Sequence, residues 1–388
     1  MDFSFTEDQD ALRGLAREFL TERVTIAHVR AMMDDPLGYD RDIYRQFVQL
    51  GLVPFPEAYG GSGFGMVELA IILEEMGRIP YPGPYFATVV LAGSAITQSG
   101  DESAMARYLP DISNGDLTMS LAFLEDAIDW GPNAVNLIAQ PEGDGYVLNG
   151  VKRFVPFGQS VDRIVVAARL PGTSGAEGIT LISVAADAPG VIVNEAIMLD
   201  LNAKTANLTF DNVSVASDDV IGAPGGGWQA LDAALQRAAV GAAAEMLGAS
   251  RKSLEMSVEY AKVRRQFGQV IGQFQAIKHK LSEMLEQVEN AHSAVYYAAW
   301  AIDAEAPDAV LASSVAKSTL NESSRKVCGE AVQVHGGIGF TWEYDLHLYF
   351  KRAKHLEPMY GDTDFHRERV LEEVLAGRVA GKAEPVTA

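Results

Sequence analysis

Cysteine is nearly absent: the 388 residues include one, Cys328. A single thiol excludes an internal disulfide and fits a reducing compartment. Basic residues are scarce as well. There are 31 Lys and Arg against 52 Asp and Glu, a formal net charge of −21. A field of that sign repels phosphate backbones and anionic lipid, so no role on nucleic acid or at a membrane surface is expected. Any anionic ligand has to be met by a local cluster of donors. No uninterrupted apolar run reaches the ~18 residues that a membrane span needs. The opening MDFSFTEDQDALRGL lacks a basic segment followed by an apolar one and does not read as a secretory signal. The expectation is a cytoplasmic protein. The histidines fall in no HExxH or Cys/His spacing, so no metal site is expected. No GxGxxG follows a strand, which removes the case for a Rossmann dinucleotide site.

What is present is a sizeable apolar content, 48% of residues. The length is enough for two or three domains at about 100–200 residues each. Residues 6 to about 112 read as helices: Thr6 and Gln9 have capping-box spacing, and Leu12, Leu15, Ala16 and Phe19 then share a face. The glycine-rich Tyr59–Gly65 stretch is a turn, and helical spacing resumes over Met66–Met76. From about 117 to 221 the texture changes to short β-branched runs separated by Pro, Gly and Asp, the pattern of an antiparallel β-domain. Asn149-Gly150 predicts a two-residue hairpin turn. From Gly227 the pattern is helical again, with long helices expected over 228–263, 272–300 and 308–334. The expected organisation is α+β: an N-terminal helical domain over 1–116, a middle β-domain over 117–222 and a C-terminal helical bundle over 223–388. The long helices carry apolar residues on more than one face, which predicts an oligomer. The last ten residues, VAGKAEPVTA, read as a frayed tail.

Two segments carry the chemical information. The first is YAKVRRQFGQVIGQFQAIKHKLSEM, from Tyr260 to Met284, with Arg264 and Phe267-Gly268 followed by Ile271, Phe274 and Gln275. On composition alone it is a helical hairpin with a charged turn. The second is Gln333-Val334-His335-Gly336-Gly337-Ile338-Gly339-Phe340. Glycines after a helix usually form a cap; here their bare backbone could also admit a phosphate or an adenosine closely, with Gln333 as a side-chain partner.

Taken together, RxxFG, IxxFQ and a QxHGGxG about sixty residues later resemble the acyl-CoA dehydrogenase family. The resemblance runs along nearly the whole chain, through FTEDQDALRGLAREFL, YGGSGFG, ILEEMGR and YLPDISNGDL in family order. It implies FAD as cofactor, an acyl-CoA substrate, lipid catabolism, an electron-transfer flavoprotein as redox partner and a dimer of dimers, homomeric or mixed. It also implies that Arg264, Phe267, Ile271, Phe274, Gln275, Gln333, Gly336 and Gly337 meet FAD, several of them across a subunit interface. The flavin ring would rest on the β-domain near Phe123 and Phe154.

The chain departs from the family where the chemistry is done. The usual base is a Glu just before a Gly-Thr, needed to take the proton α to the thioester. Here that position is Tyr360, within Glu357-Pro358-Met359-Tyr360-Gly361-Asp362-Thr363. A phenol of ordinary pKa near ~10 is a poor base for this step. Some members keep the base on the first long C-terminal helix; that position is Ala238 here, with Glu245 two turns further on nearly the same face. Glu245 lies in an apolar run, AAVGAAAEMLG, and reads either as a packed helix residue or as a carboxylate of raised pKa. Glu245 and Asp362 are therefore the candidate bases. In the β-domain the family's Thr-Glu-Pro becomes Leu124-Glu125-Asp126, and its Trp-Ile-Thr becomes Phe154-Val155-Pro156, which has no hydroxyl to reach the flavin. These losses resemble the non-catalytic partner in mixed tetramers. Three functions follow as expectations: an FAD-dependent acyl-CoA dehydrogenase, a subunit that completes the FAD site of a catalytic partner, and an oxidase or flavin monooxygenase-like relative reoxidised by O₂.

Overall fold

The computed structural model describes residues 5–378. The expected tail, 379–388, lies outside the described residues. In chain order the first helices are α1 (Glu7–Arg23), α2 (Ile26–Asp34), α3 (Arg41–Gln49), α4 (Met66–Gly77), α5 (Ser94–Gln98) and α6 (Glu102–Asn114). The capping box forms as its spacing predicts: the Gln9 amide donates to Thr6 Oγ1 at 3.2 Å and the Thr6 amide to Gln9 Oε1 at 3.1 Å. Asp101 caps α6 by accepting from the Ser103 and Ala104 amides, and Gly115 ends it in the left-handed conformation. The chain folds into two compact units, each discontinuous in sequence. One comprises 15–64 and 81–238; the other comprises, among the described residues, 5–14, 65–80 and 239–378.

The first of these units contains the sheet. Its strands are β1 (Met119–Ala122), β2 (Ile138–Glu142), β3 (Gly145–Pro156), β4 (Arg163–Arg169), β5 (Ile179–Ala185), β6 (Val191–Ala196), β7 (Thr205–Ala216) and β8 (Val220–Ile221). They run in the order β6-β7-β3-β2-β4-β5-β8, with β1 added on β4. Most pairings are antiparallel, but β1 lies parallel to β4, and β2 meets β4 in parallel through Ile138 and Arg169. The expected hairpin turn is displaced. Glu142 pairs with Gly145, so the two-residue turn is Gly143-Asp144, and Asn149-Gly150 lies inside β3. There the register against β7 shifts between Leu148 and Gly150. The Asn149 carboxamide accepts from the Asn212 amide at 2.9 Å, so the Asn-Gly pair makes a bulge rather than a turn.

The second unit is built on α7 (Trp228–Val263), whose C-terminal part joins a tiny hairpin, β9 (Arg265–Gln266) and β10 (Gln269–Val270), to α8 (Gln275–Asp303). Then come α9 (Ala309–His335), α10 (Leu346–Leu356) and α11 (Thr363–Leu375). The bounds of α7 are those expected; α8 and α9 fall within three residues of expectation. Small residues let α4 and α7 touch backbone to backbone. A Cβ on Gly77 would lie 2.0 Å from the Glu245 carbonyl oxygen, and one on Gly248 would lie 2.0 Å from that of Glu74. Gly248→Val therefore has to push two helices apart. We expect a loss of roughly 3 kcal/mol, the upper end of overpacking costs, as a lowered denaturant midpoint at unchanged slope.

No helix among the described residues is long and apolar enough to cross a membrane.

Candidate functional site

The hairpin between α7 and α8 is held beside the C-terminus of α9 by a small core. Ala261, Ile271 and Val334 are buried together, with Tyr260, Phe274, Ile277 and Leu281 packed against them. This cluster brings the two sequence motifs to one place. Ile271 and Phe274 turn inward as its packing residues, whereas Arg264, Phe267, Gln275, Gln333 and Gly337 are exposed. Phe267 is 92% exposed and has φ +51, an unusual conformation for an aromatic residue. Its ring meets Phe274 edge-on at 6.1 Å.

The glycines separate into two kinds. Gly268 and Gly336 have φ +80 and +64, which explains glycine through backbone geometry. Gly337 has no such φ, and a Cβ built on it meets nothing within 4 Å. Neither the backbone nor the chain's own packing demands glycine there, so the room at Gly337 is available to something from outside. The helix ends are complementary. α8 begins at Gln275 with no side-chain cap, the positive end of its dipole, close in sequence to Arg264. The α9 C-terminus is a negative end, suited to ligand donors. Phosphate at the first and nucleoside donors at the second is an arrangement that these residues fit.

The candidate bases are all engaged. Glu245 is 6% exposed, and its Oε2 accepts from Arg352 Nη1 of α10 at 3.2 Å. Tyr360 is buried with φ +60; burial first, and then the Glu245 charge, push its phenol far above the ordinary value. It can donate a proton to a hydrogen bond but cannot act as a base near neutrality. Asp362 caps α11, its Oδ1 accepting from the Phe365 amide at 2.9 Å, and is exposed.

Two residues that the motifs did not single out fix this loop. Lys317, fully buried on α9, donates to Asn321 Oδ1 at 2.5 Å and to the carbonyls of Leu356, Glu357 and Gly361 at 3.0, 3.1 and 3.1 Å. Burial pushes its ammonium down to about 7, opposed by Glu357 and Asp362. His366 lies 2.9 Å from the Tyr360 carbonyl through Nε2, which must donate. Burial, then Lys317, lower His366 to about 3, so it is neutral. Neither Lys317, within SSVAKSTL, nor His366 offered a sequence signal.

The β-sheet unit has its own constellation. Phe123 is buried and stacked on Trp130 at 5.8 Å and 18°. Its carbonyl accepts from Lys152 Nζ at 3.1 Å, and Lys152 also reaches Glu125 Oε1 at 2.7 Å. Burial pushes Lys152 down to about 8 while Glu125 opposes it. Glu125 in turn accepts from the Asn136 and Leu137 amides at 2.9 Å, tying down the loop that carries Trp130. Phe154, at φ +51, marks a register shift between β3 and β7. The carbonyl of Pro156 accepts from Ser120 at 2.6 Å. Among the described residues, no group of three His, Cys, Asp or Glu side chains could hold a metal ion.

Two consequences can be measured. Arg352→Met leaves the Glu245 carboxylate buried without its guanidinium and should cost about 3–5 kcal/mol, much of it recovered in the Glu245→Leu/Arg352→Met double variant. The neutral His366 gives a second. Its folded pKa is depressed from 6.5 to about 3, so the unfolded chain binds the proton first as pH falls. The His366 contribution is complete above pH 6.5 and is lost progressively toward pH 3. His366→Gln should lose less stability than the parent between pH 6.5 and 4 in urea titrations.

Residues 6–116 match the model of the acyl-CoA dehydrogenase N-terminal domain, and residues 225–375 that of the acyl-CoA dehydrogenase C-terminal domain. The short-chain specific acyl-CoA dehydrogenase of Megasphaera elsdenii is 30% identical over 91% of this chain and 94% of its own length. The caffeyl-CoA reductase-Etf complex subunit CarC of Acetobacterium woodii is 28% identical, over 96% and 99%. A solved variant of the Tcur3481-Tcur3483 steroid ACAD superposes with a TM-score of 0.85 at 31% identity, over 96% of this chain and 98% of that one. The chain belongs to the acyl-CoA dehydrogenase family, whose members are FAD-dependent oxidoreductases of acyl-CoA thioesters.

Proposed function

We propose that this chain works in the FAD-dependent α,β-dehydrogenation of an acyl-CoA, binding FAD on the surface formed by the α7–α8 hairpin and the glycine turn after α9. The observation that carries the reading is Gly337, a glycine that the chain's own fold does not require, close in sequence to exposed Gln333; the end of α9 before it and the hairpin after Arg264 share the small core of Ala261, Ile271 and Val334. Arg264 supplies a guanidinium for the pyrophosphate, and Gln333 supplies a carboxamide for the adenosine side. Phe267, almost fully exposed, supplies an apolar face that a neighbouring subunit or the cofactor covers. FAD, when bound, takes the hydride from the substrate β-carbon, and the α-proton goes to a carboxylate. An electron-transfer flavoprotein is the acceptor this reading favours; the likeness to a subunit of an Etf complex supports it.

A second reading is favoured by a specific observation. Glu245 is committed to Arg352, Asp362 to a helix cap, and Tyr360 fills the loop where relatives keep their base. In that reading the chain lends Arg264 and Gln333 to FAD in a mixed oligomer, and a partner subunit with a carboxylate in this loop removes the proton. The two-component name of the steroid relative supports it.

The test starts from the surface. Gly337→Val and Arg264→Ala should each leave helix content and melting temperature near the parent's while flavin retention after gel filtration collapses. Stoichiometric FAD in both variants would defeat the assignment. The same preparations separate the two readings. Turnover of an acyl-CoA with a dye acceptor by the lone chain, lost in Glu245→Gln with FAD still bound, makes Glu245 the base. Turnover only with a co-expressed carboxylate-bearing subunit, indifferent to Glu245→Gln, assigns the base to the partner.

A further inference from the structure

His335 ends α9 immediately before the glycine turn and is 4% exposed. Its Nδ1 lies 2.7 Å from the Ala331 carbonyl, which only accepts, so Nδ1 carries the proton and Nε2 is an acceptor. Nε2 is buried with no hydrogen-bond partner among the described residues. Two aromatic rings pack on the imidazole. Tyr260 stacks on the ring at 4.4 Å and 27°, and Tyr344 packs at 5.0 Å and 47°. Tyr260 is one turn before Arg264, whose amide donates to the Tyr260 carbonyl at 2.8 Å. Tyr344 lies beyond the turn of Gly336–Phe340, and that turn folds back so closely that a Cβ on Gly339 would stand 3.0 Å from the His335 Cβ. One ring therefore touches the segment leading to Arg264 and both sides of the glycine turn. Burial lowers the His335 pKa, which keeps a positive charge out of the stack.

We propose that His335 is a positioning residue for the cofactor surface: wedged between Tyr260 and Tyr344, its ring holds the 336–340 turn at a fixed distance from the Arg264 hairpin, so that one dinucleotide can engage both. The proposal rests on the FAD reading above and adds the part that sets the spacing. A ring of similar size without nitrogens should do the same work, whereas removing the ring should leave two correct half-sites in the wrong relation.

Full-length His335→Ala and His335→Phe, with the parent, are compared in FAD titration by fluorescence and in amide hydrogen exchange without flavin. His335→Ala should bind FAD at least about tenfold more weakly, and should exchange faster across 265–271 and 336–340. His335→Phe should restore affinity and protection, with a melting temperature at or above the parent's. Parent-like affinity and exchange in His335→Ala would overturn the clamp. So would a His335→Phe as weak as His335→Ala, because the nitrogen would then be the working group. If the parent takes up no FAD, alone or with a partner subunit, it is the cofactor reading that fails; the exchange comparison still decides whether His335 ties the two segments.

Discussion

The crossing of α4 and α7 is the constraint on which the helical unit depends. At Gly77 and Gly248 each helix meets a backbone carbonyl of the other, Glu245 and Glu74, at a distance no side chain survives. The apolar run around Glu245 is rich in alanine for the same reason. Close approach leaves little room for water, so the two glutamates on this crossing have to find partners within the protein. Glu74 finds Arg251 at 2.9 Å, Tyr296 at 2.6 Å and Arg13 at 3.6 Å. Burial by itself would raise its pKa, but Arg251, Tyr296 and Arg13 outweigh burial and hold the carboxyl below its ordinary value. Glu245 finds Arg352. The backbone contact thus dictates where buried charge is placed, and buried charge dictates which helices have to dock on α7.

The chain treats charge in two ways. The sequence carries a surplus of 21 negative charges, while buried ionic groups such as Lys152 and Glu245 are met by local partners. Lys152 has Glu125, and Lys317 sits among four oxygens at the end of α10, where a cation also answers the helix dipole. Such groups contribute little net stability relative to an apolar replacement, yet losing one partner is expensive. What they provide is definition of backbone. Lys317 and His366 hold three carbonyls and a fourth around a loop in which Tyr360 and Gly361 both have positive φ. A loop held this firmly in an unfavourable conformation is a loop whose side chain has to be in one place.

Helix identity in this chain is carried by periodicity, and periodicity was legible. The α7 boundaries and the Thr6 capping box are local features written in neighbouring residues. The Asn149-Gly150 turn failed because a two-residue signal does not say which strand it interrupts; the partner that makes it a bulge, Asn212, is 63 residues away. The site divides in the same manner. Arg264, Gln333 and Gly337 stand in short motifs and face outward, where a motif is all there is to read. The partners of Glu245 and Tyr360 come from α9, α10 and α11, and no spacing in the sequence announces that Arg352 will meet Glu245 or that Lys317 will grip Gly361.

The contrast between those two sets bears on the role of the chain. Residues on the proposed cofactor surface are not paired within their own fold: Arg264, Gln275 and Gln333 make no side-chain hydrogen bond to described residues, and the space at Gly337 is open. The acidic candidates show the opposite condition, with each carboxylate already bonded. A general base needs a lone pair free at the substrate proton, and a carboxylate held by a buried guanidinium has both its charge and its geometry assigned elsewhere. On the proposed reading, binding capacity lies at one end of the helical unit, while the candidate carboxylates of the Glu245–Tyr360 cluster are restrained by their own partners. The physical question this chain poses is how readily Glu245 can leave Arg352, because under the proposed function that ion pair is what would separate a subunit that catalyses from one that completes a cofactor site.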